Sequence, residues 1–206
     1  MNTEKVKSLL AQMGERMEKE KEYLTDLDNA IADGDHGINM ARGFAAANEK
    51  IAAMPESDVG SLLKSFGMAL VSAVGGSAGP LYGTAFMRVG MSFGAKTEIG
   101  IADFIPAFAS AIEGVMMRGK ATAGEKTMLD AMIPALDSMK KALEQGSEAP
   151  AVLQSGVNAA WQGVAYTETI AATKGRASYI GERSIGHKDP GAVSVTYILE
   201  EIKKSI

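Results

Sequence analysis

Apolar positions recur along this chain with a helical period. Val6, Leu9, Leu10, Met13, Met17 and Leu24 lie three, four and seven residues apart, the stripe of one long amphipathic helix. The same spacing predicts helices over about 38–53, 58–74, 80–94, 102–118, 127–145 and 150–173. A last helix opens at Asp189-Pro190-Gly191 and runs to about Lys204. Asp as N-cap followed by Pro at the first helical position is a start signal. Val193, Val195, Tyr197 and Ile198 carry strand propensity, but the cap, the length and the Leu-Glu-Glu-Ile-Lys-Lys ending favour helix. No other segment alternates at period two between hairpin turns, and no fixed-period repeat is present. The longest gaps, about 118–127 and 174–188, are Gly- and charge-rich, with the character of working loops rather than linkers. Residues 1–206 therefore read as a single all-α domain, a bundle of about eight amphipathic helices.

Composition narrows the function. Hydrophobic residues make up 46% of the 206 positions and charged residues 22%, which suits a folded globular chain. Without cysteine there is no disulfide framework, thiol nucleophile, cysteine-ligated zinc or iron–sulfur cluster. The net charge of −4 and the lack of a Lys/Arg run give no general nucleic-acid surface. The N-terminus is charged throughout, without the apolar core of a signal peptide. The longest apolar stretch, around Met68–Val74, ends at Gly75-Gly76, too short to span a bilayer. A cytoplasmic protein with no membrane or nucleic-acid partner is expected.

The 23 glycines cluster at four junctions: 33–37, 75–83, 118–126 and 175–191. Single glycines between helices serve as C-caps and turns. Several in each loop suit a different use, since Gly-rich loops leading into helix N-termini turn backbone N–H groups toward phosphate.

The sharpest chemistry lies in Asp-Leu-Asp-Asn-Ala-Ile-Ala-Asp-Gly-Asp-His-Gly-Ile-Asn-Met, residues 26–40. It holds Asp26, Asp28, Asp33 and Asp35 with no basic residue before Arg42. On one continuous helix Asp28 and Asp35 would share a face, while Asp33 would point about 140° away from Asp28. Gly34 and Gly37 favour a turn that brings three carboxylates to one point. Each like-charged pair at about 5 Å costs roughly 3 kcal/mol at an effective dielectric near 20. A hard cation, Mg²⁺ above all, offsets that repulsion and keeps positions open for phosphate oxygens. The alternative is a solvated acidic turn. An EF-hand fails on spacing: from Asp26 the glycine position holds Ile31, and from Asp33 it holds Ile38.

This segment, with Gly-Gly-Ser-Ala-Gly-Pro-Leu-Tyr-Gly-Thr, Arg-Gly-Lys-Ala-Thr-Ala-Gly-Glu-Lys-Thr-Met and the run 175–192, resembles in order and spacing the ADP-binding L subunits of bacterial dihydroxyacetone kinases. The resemblance covers essentially the whole chain. It implies an antiparallel barrel of eight helices with the nucleotide site in loops at one end. It also implies ADP, with ATP as its phosphorylated form, held through two Mg²⁺ ions on Asp28, Asp33 and Asp35. His36, Gly37, Ile38 and Asn39 match the family's nucleotide-contacting run, and Ser77 and Ala78 its phosphate loop. Gly119 and Met128 match positions lining the nucleotide pocket. Arg176, Asp189, Pro190 and Gly191 match the last loop and helix start.

The implied activity is that of a phosphotransferase subunit. ADP would stay bound as a coenzyme, be phosphorylated by the M subunit of the phosphoenolpyruvate-dependent phosphotransferase system, and pass its γ-phosphoryl group to dihydroxyacetone on a separate K subunit. No residue of this chain is assigned a catalytic acid–base or nucleophilic role, so it should be inactive alone. Two alternatives keep the site and change its use: a subunit of an ATP-dependent kinase for another small hydroxyketone or sugar acid, or a nucleotide-dependent protein that binds a transcriptional regulator.

Several motifs carry less. Residues 114–121 approach a Walker A loop but end in Ala121 where Ser or Thr must meet Mg²⁺. Ser61 and Lys64 match a β-lactamase spacing in mid-helix without companions. His36 is read as a nucleotide contact or its support rather than a phosphorylated histidine. His187 is either a closing loop residue or a plain surface one. The methionines and Trp161 read as core, and Arg176 as a phosphate or partner contact.

Overall fold

The computed structural model of the chain describes residues 1–54 and 57–206. Among them it forms nine α-helices: α1 Thr3–Lys19, α2 Lys21–Ile31, α3 His36–Ala52, α4 Val59–Ala73, α5 Ala78–Phe93, α6 Ile101–Gly119, α7 Leu129–Glu144, α8 Ala149–Thr167 and α9 Pro190–Lys204. The only β pairing among the described residues is one bridge between Asn2 and Glu98. None of these helices is long and apolar enough to cross a membrane.

The all-α expectation holds, with one helix more than the sequence pattern counts. The first stripe is two helices, broken at Glu20, whose backbone leaves the helical region at φ −94°, ψ 8°. Met17 and Leu24 are nonetheless both fully buried, so each helix keeps an apolar face and the sequence spacing alone does not show the break. Neither Gly nor Pro marks the spot.

The chain divides into two compact units, Met1–Glu18 with Asn39–Lys120 and Lys19–Ile38 with Ala121–Ile206. In the first, α5 packs on both α4 and α6. Phe44, Phe66 and Phe86 meet there with ring centroids 4.9–6.0 Å apart in edge and tilted geometries, worth about 0.5–1.5 kcal/mol per pair beyond area burial. Asn48 ties α3 to α1 by donating to the Leu10 carbonyl at 3.0 Å. Asp58 caps α4, accepting from the Ser61 N–H at 2.6 Å and its hydroxyl at 2.9 Å. Ser61 thus stands in the first turn of α4 rather than mid-helix, and its hydroxyl serves the cap.

In the second unit α9 packs against α2, α7 and α8, and α7 against α8. From Ala192 to Leu199 every residue of α9 is buried. That explains its strand-like composition: a helix apolar on all sides has no amphipathic period to display. The buried Ser194 and Thr196 hydroxyls donate to their own helix, Ser194 to the Pro190 carbonyl at 2.9 Å and Thr196 to the Ala192 carbonyl at 2.8 Å. Asp189 caps α9 as its sequence predicts, accepting the Ala192 N–H at 2.7 Å.

Candidate functional site

The inner face of α2 buries Leu24, Asp28 and Ile31, spaced four and three apart. A carboxylate therefore stands in an apolar stripe. The chain then turns through residues 32–35, with Gly34 at φ 71°, a region that strains any residue with a Cβ. The turn brings the Asp35 and His36 N–H groups onto Asp28 Oδ2 at 2.9 and 3.2 Å. Asp28 so closes the turn and satisfies the first amide of α3. Gly37 is needed for a different reason: a Cβ there would lie 2.0 Å from the Lys21 carbonyl oxygen.

Carboxylate oxygens of Asp28, Asp33 and Asp35 lie within 4.8 Å of one another. Burial raises the pKa of Asp28; the two N–H groups oppose this, and the charges on Asp33 and Asp35 add to it. An all-oxygen, all-carboxylate donor set of this span fits a hard divalent cation such as Mg²⁺. Asp33 already pairs with a cation, the Arg176 guanidinium at 3.0 Å.

His36 does not stand open. Its Nε2 is 2.8 Å from Ser194 Oγ, whose own proton goes to the Pro190 carbonyl. Nε2 therefore donates. Burial lowers the pKa of His36 to about 4, so the ring is neutral and joins the start of α3 to α9. Asp189 lies in the same unit. Its N–H donates to Thr167 Oγ1 at 3.0 Å. Burial pushes its carboxyl up to about 7, with the charges of Asp130 and Asp28 adding and the Ala192 N–H and Lys126 opposing. Met128 precedes α7 and is buried, and a Cβ on Gly191 would stand 3.6 Å from the Met128 Cβ. The second unit thus gathers Asp28, Asp33, Asp35, His36 and Arg176 with one another, Asp189 and Pro190 at the start of α9, and Met128 beside Gly191. Ile38 is exposed.

The remaining predicted contacts belong to the first unit. Asn39 is buried and accepts from Arg42 Nη2 at 2.7 Å. Ser77 precedes α5 in an αR backbone without a side-chain cap, so its hydroxyl satisfies none of the first amides of α5. Gly119 is the last residue of α6, and Lys120 follows in a left-handed cap at φ 49°. The Walker-like run is therefore a helix end, which agrees with its rejection.

Sequence reading passed over Lys126, Asp130, Thr167 and Ser194, all buried. Lys126 sits inside a quoted motif. Its signal was a lysine two residues ahead of Met128 and Leu129, the buried N-cap and first residue of α7.

With that geometry in place, comparison with known proteins decides the family. The DAK2 domain model matches residues 30–204, which spans parts of both units. The chain belongs to the DAK2 domain family. Among DAK2 relatives, the PEP-dependent dihydroxyacetone kinase ADP-binding subunit DhaL of Escherichia coli is 43% identical over 191 residues, 93% of this chain and 91% of that protein. The ADP-binding subunit DhaL of PEP-dependent dihydroxyacetone kinase 1 of Listeria innocua is 42% identical over 185 residues, 90% of this chain and 87% of that one. The solved dihydroxyacetone kinase of C. freundii in complex with AMP-PNP and Mg²⁺ superimposes with a TM-score of 0.70 at 25% identity, covering 98% of this chain and 34% of that one. The DAK2 fold here thus corresponds to about a third of that longer kinase chain.

Proposed function

We propose that this chain is the ADP-binding subunit of a phosphoenolpyruvate-dependent dihydroxyacetone kinase. One observation carries the reading: Asp28 near the end of α2 and Asp33 and Asp35 in the turn after it bring carboxylate oxygens within 4.8 Å, in a chain matching named ADP-binding subunits over nine-tenths of its length. Asp28, Asp33 and Asp35 would hold two Mg²⁺ ions and through them the diphosphate of ADP. Bound ADP would supply the phosphoryl relay, taking a group from the M subunit of a phosphotransferase system and yielding it to dihydroxyacetone on a K subunit.

The chain's own residues bind and orient. Asp28 is fixed by two backbone N–H groups, so its position is set before any ligand arrives. Arg176, 60% exposed at its side chain, can exchange Asp33 for a phosphate oxygen, for which its planar fork is suited. Neutral His36 holds the start of α3 to α9 and supplies no charge. The assignment of Gly37, Ile38, Asn39, Ser77, Ala78, Gly119, Met128, Pro190 and Gly191 as nucleotide contacts rests on the family resemblance. Phosphoryl transfer needs such positioning and charge neutralisation more than covalent chemistry from the protein.

The test is the nucleotide content of protein purified in Mg²⁺ buffer with none added, released by acid and resolved by ion exchange. Stoichiometric ADP, exchanging slowly with labelled ADP, is expected. An empty protein that binds ATP rapidly and reversibly would favour the ATP-dependent kinase. A folded protein that binds neither nucleotide with Mg²⁺ present would overturn the site.

A further inference from the structure

Lys126 carries a buried ammonium that no metal or nucleotide contact accounts for. The residue is 1% exposed, and its backbone is left-handed at φ 60°, a conformation residues other than glycine rarely adopt. Asp130 holds it there. Its Oδ1 accepts the Gly124 N–H at 2.5 Å and its Oδ2 the Thr127 N–H at 2.8 Å, folding loop 124–127 onto the start of α7. The lysine side chain then ends among three backbone carbonyls, those of Thr167, Ile170 at 3.3 Å and His187 at 2.5 Å. An ammonium has three protons, and these three acceptors use them. Despite its place in a glycine-rich motif, Lys126 has no donor left for a phosphate.

The three carbonyls belong to the loops that matter to the site. Thr167 is the last residue of α8, so its carbonyl has no partner within the helix. Ile170 begins the segment that leads to Gly175-Arg176. His187 stands two residues before Asp189, whose N–H returns to Thr167 Oγ1 at 3.0 Å. Burying a charge costs several kcal/mol unless its surroundings answer it. The carbonyls do so, and the charges of Asp189, Glu168 and Asp130 support the ammonium against the desolvation that lowers its pKa. An apolar side chain would remove the one donor that all three carbonyls share.

We infer that Lys126 is a positioning residue: its ammonium locks the loop bearing Arg176 and the helix start Asp189–Gly191 onto the loop bearing Met128, an inference that rests on the nucleotide reading of the site. The lysine touches no reacting atom. It acts by fixing where the groups around a bound nucleotide stand.

The experiment compares the wild-type chain, Lys126→Met and Val152→Ala, the last removing buried bulk from the first turn of α8, 15 residues before Thr167. Dissociation of labelled ADP is followed in Mg²⁺ buffer beside thermal unfolding of the nucleotide-free proteins. Lys126→Met should release ADP at least about tenfold faster, the scale expected when a supporting contact is lost, while Val152→Ala lowers the melting temperature with the ADP rate unchanged. A folded Lys126→Met that keeps the wild-type rate overturns the inference, as does an equal acceleration in Val152→Ala, since the effect would then be one of stability alone. A measurement on the wild type covers a variant that does not fold. The Lys126 ammonium should give a slowly exchanging ¹⁵Nζ resonance that shifts when MgADP binds; no shift on saturation overturns the inference. Failure of the wild type itself to bind ADP would sink the nucleotide reading, a result distinct from unaltered ADP release in the variant.

Discussion

In the first unit, α4 and α5 meet backbone to backbone. A Cβ on Gly67 would stand 2.7 Å from the Gly83 carbonyl oxygen, and one on Gly83 would stand 2.6 Å from that of Gly67. Beside this contact the filling is aromatic, Phe44, Phe66 and Phe86. The loops of the second unit are held differently. Asp28, Lys126 and Asp130 are all buried there, and each secures backbone groups through directed hydrogen bonds. Close apolar packing is non-directional and fixes helices with little regard to side-chain chemistry. Buried charges fix loops at named atoms, at a desolvation cost that only a full set of partners offsets. Substitutions in the first framework should register as stability, and those in the second as ligand binding.

The largest expected effect tests the second half of that contrast. Asp28→Asn should weaken MgADP binding by about a hundredfold or more, given the charge it removes from the cation's neighbours. The nucleotide-free protein should be no less stable, because burial and two like charges already disfavour that carboxylate. Calorimetric titration beside thermal unfolding checks both; a fall in stability with binding intact would break the contrast. Gly67→Ala tests the first half. Overpacking against backbone should cost about 1–3 kcal/mol in urea unfolding, with ADP still retained by the folded fraction.

A smaller effect sits where charge and fold meet. Asp189 titrates at about 7 in the folded chain against an ordinary 3.8. Between those values the unfolded chain has released a proton that the folded chain still holds. Stability from this group is therefore full below the lower value and is lost as pH rises through the upper one. Asp189→Asn keeps a capping oxygen for α9 and has no such dependence. Wild-type stability relative to this variant, measured in chelator, should decline between pH 4.5 and about 7.5; a flat difference would mean the carboxyl ionises normally. The smallest effect is expected at Arg176→Gln. Its partner Asp33 is 37% exposed at the side chain and Arg176 itself 60%, so stability should move by less than about 1 kcal/mol.

The helices were legible because most are amphipathic, and the acidic turn because Gly34 and Gly37 interrupt a helical pattern between aspartates. The end of α8 was not. The period of α8 continues to about residue 173, yet the helix stops at Thr167, where Lys126, Ser184 and Asp189 take up backbone groups and hydroxyls of the region. Those partners lie from 12 to 41 residues away in sequence, beyond the reach of any local pattern. The glycines misled in part. Gly83 was grouped with a phosphate loop, but it lies inside α5 and is spent on the contact with α4.

The sequence by itself determined the helical class, the cap at Asp189, the turn between Asp28 and Asp35 and the family. Each of these is written in residues close together along the chain, where backbone propensity, capping and period act. Tertiary structure alone decided that Asp28 would be buried and held by two N–H groups, that His36 would be neutral and bound to Ser194, and that Lys126 would face carbonyls rather than phosphate. Those outcomes depend on desolvation and on partners from distant segments. A side chain's charge state and hydrogen bonds belong to its surroundings, and only folding assembles them.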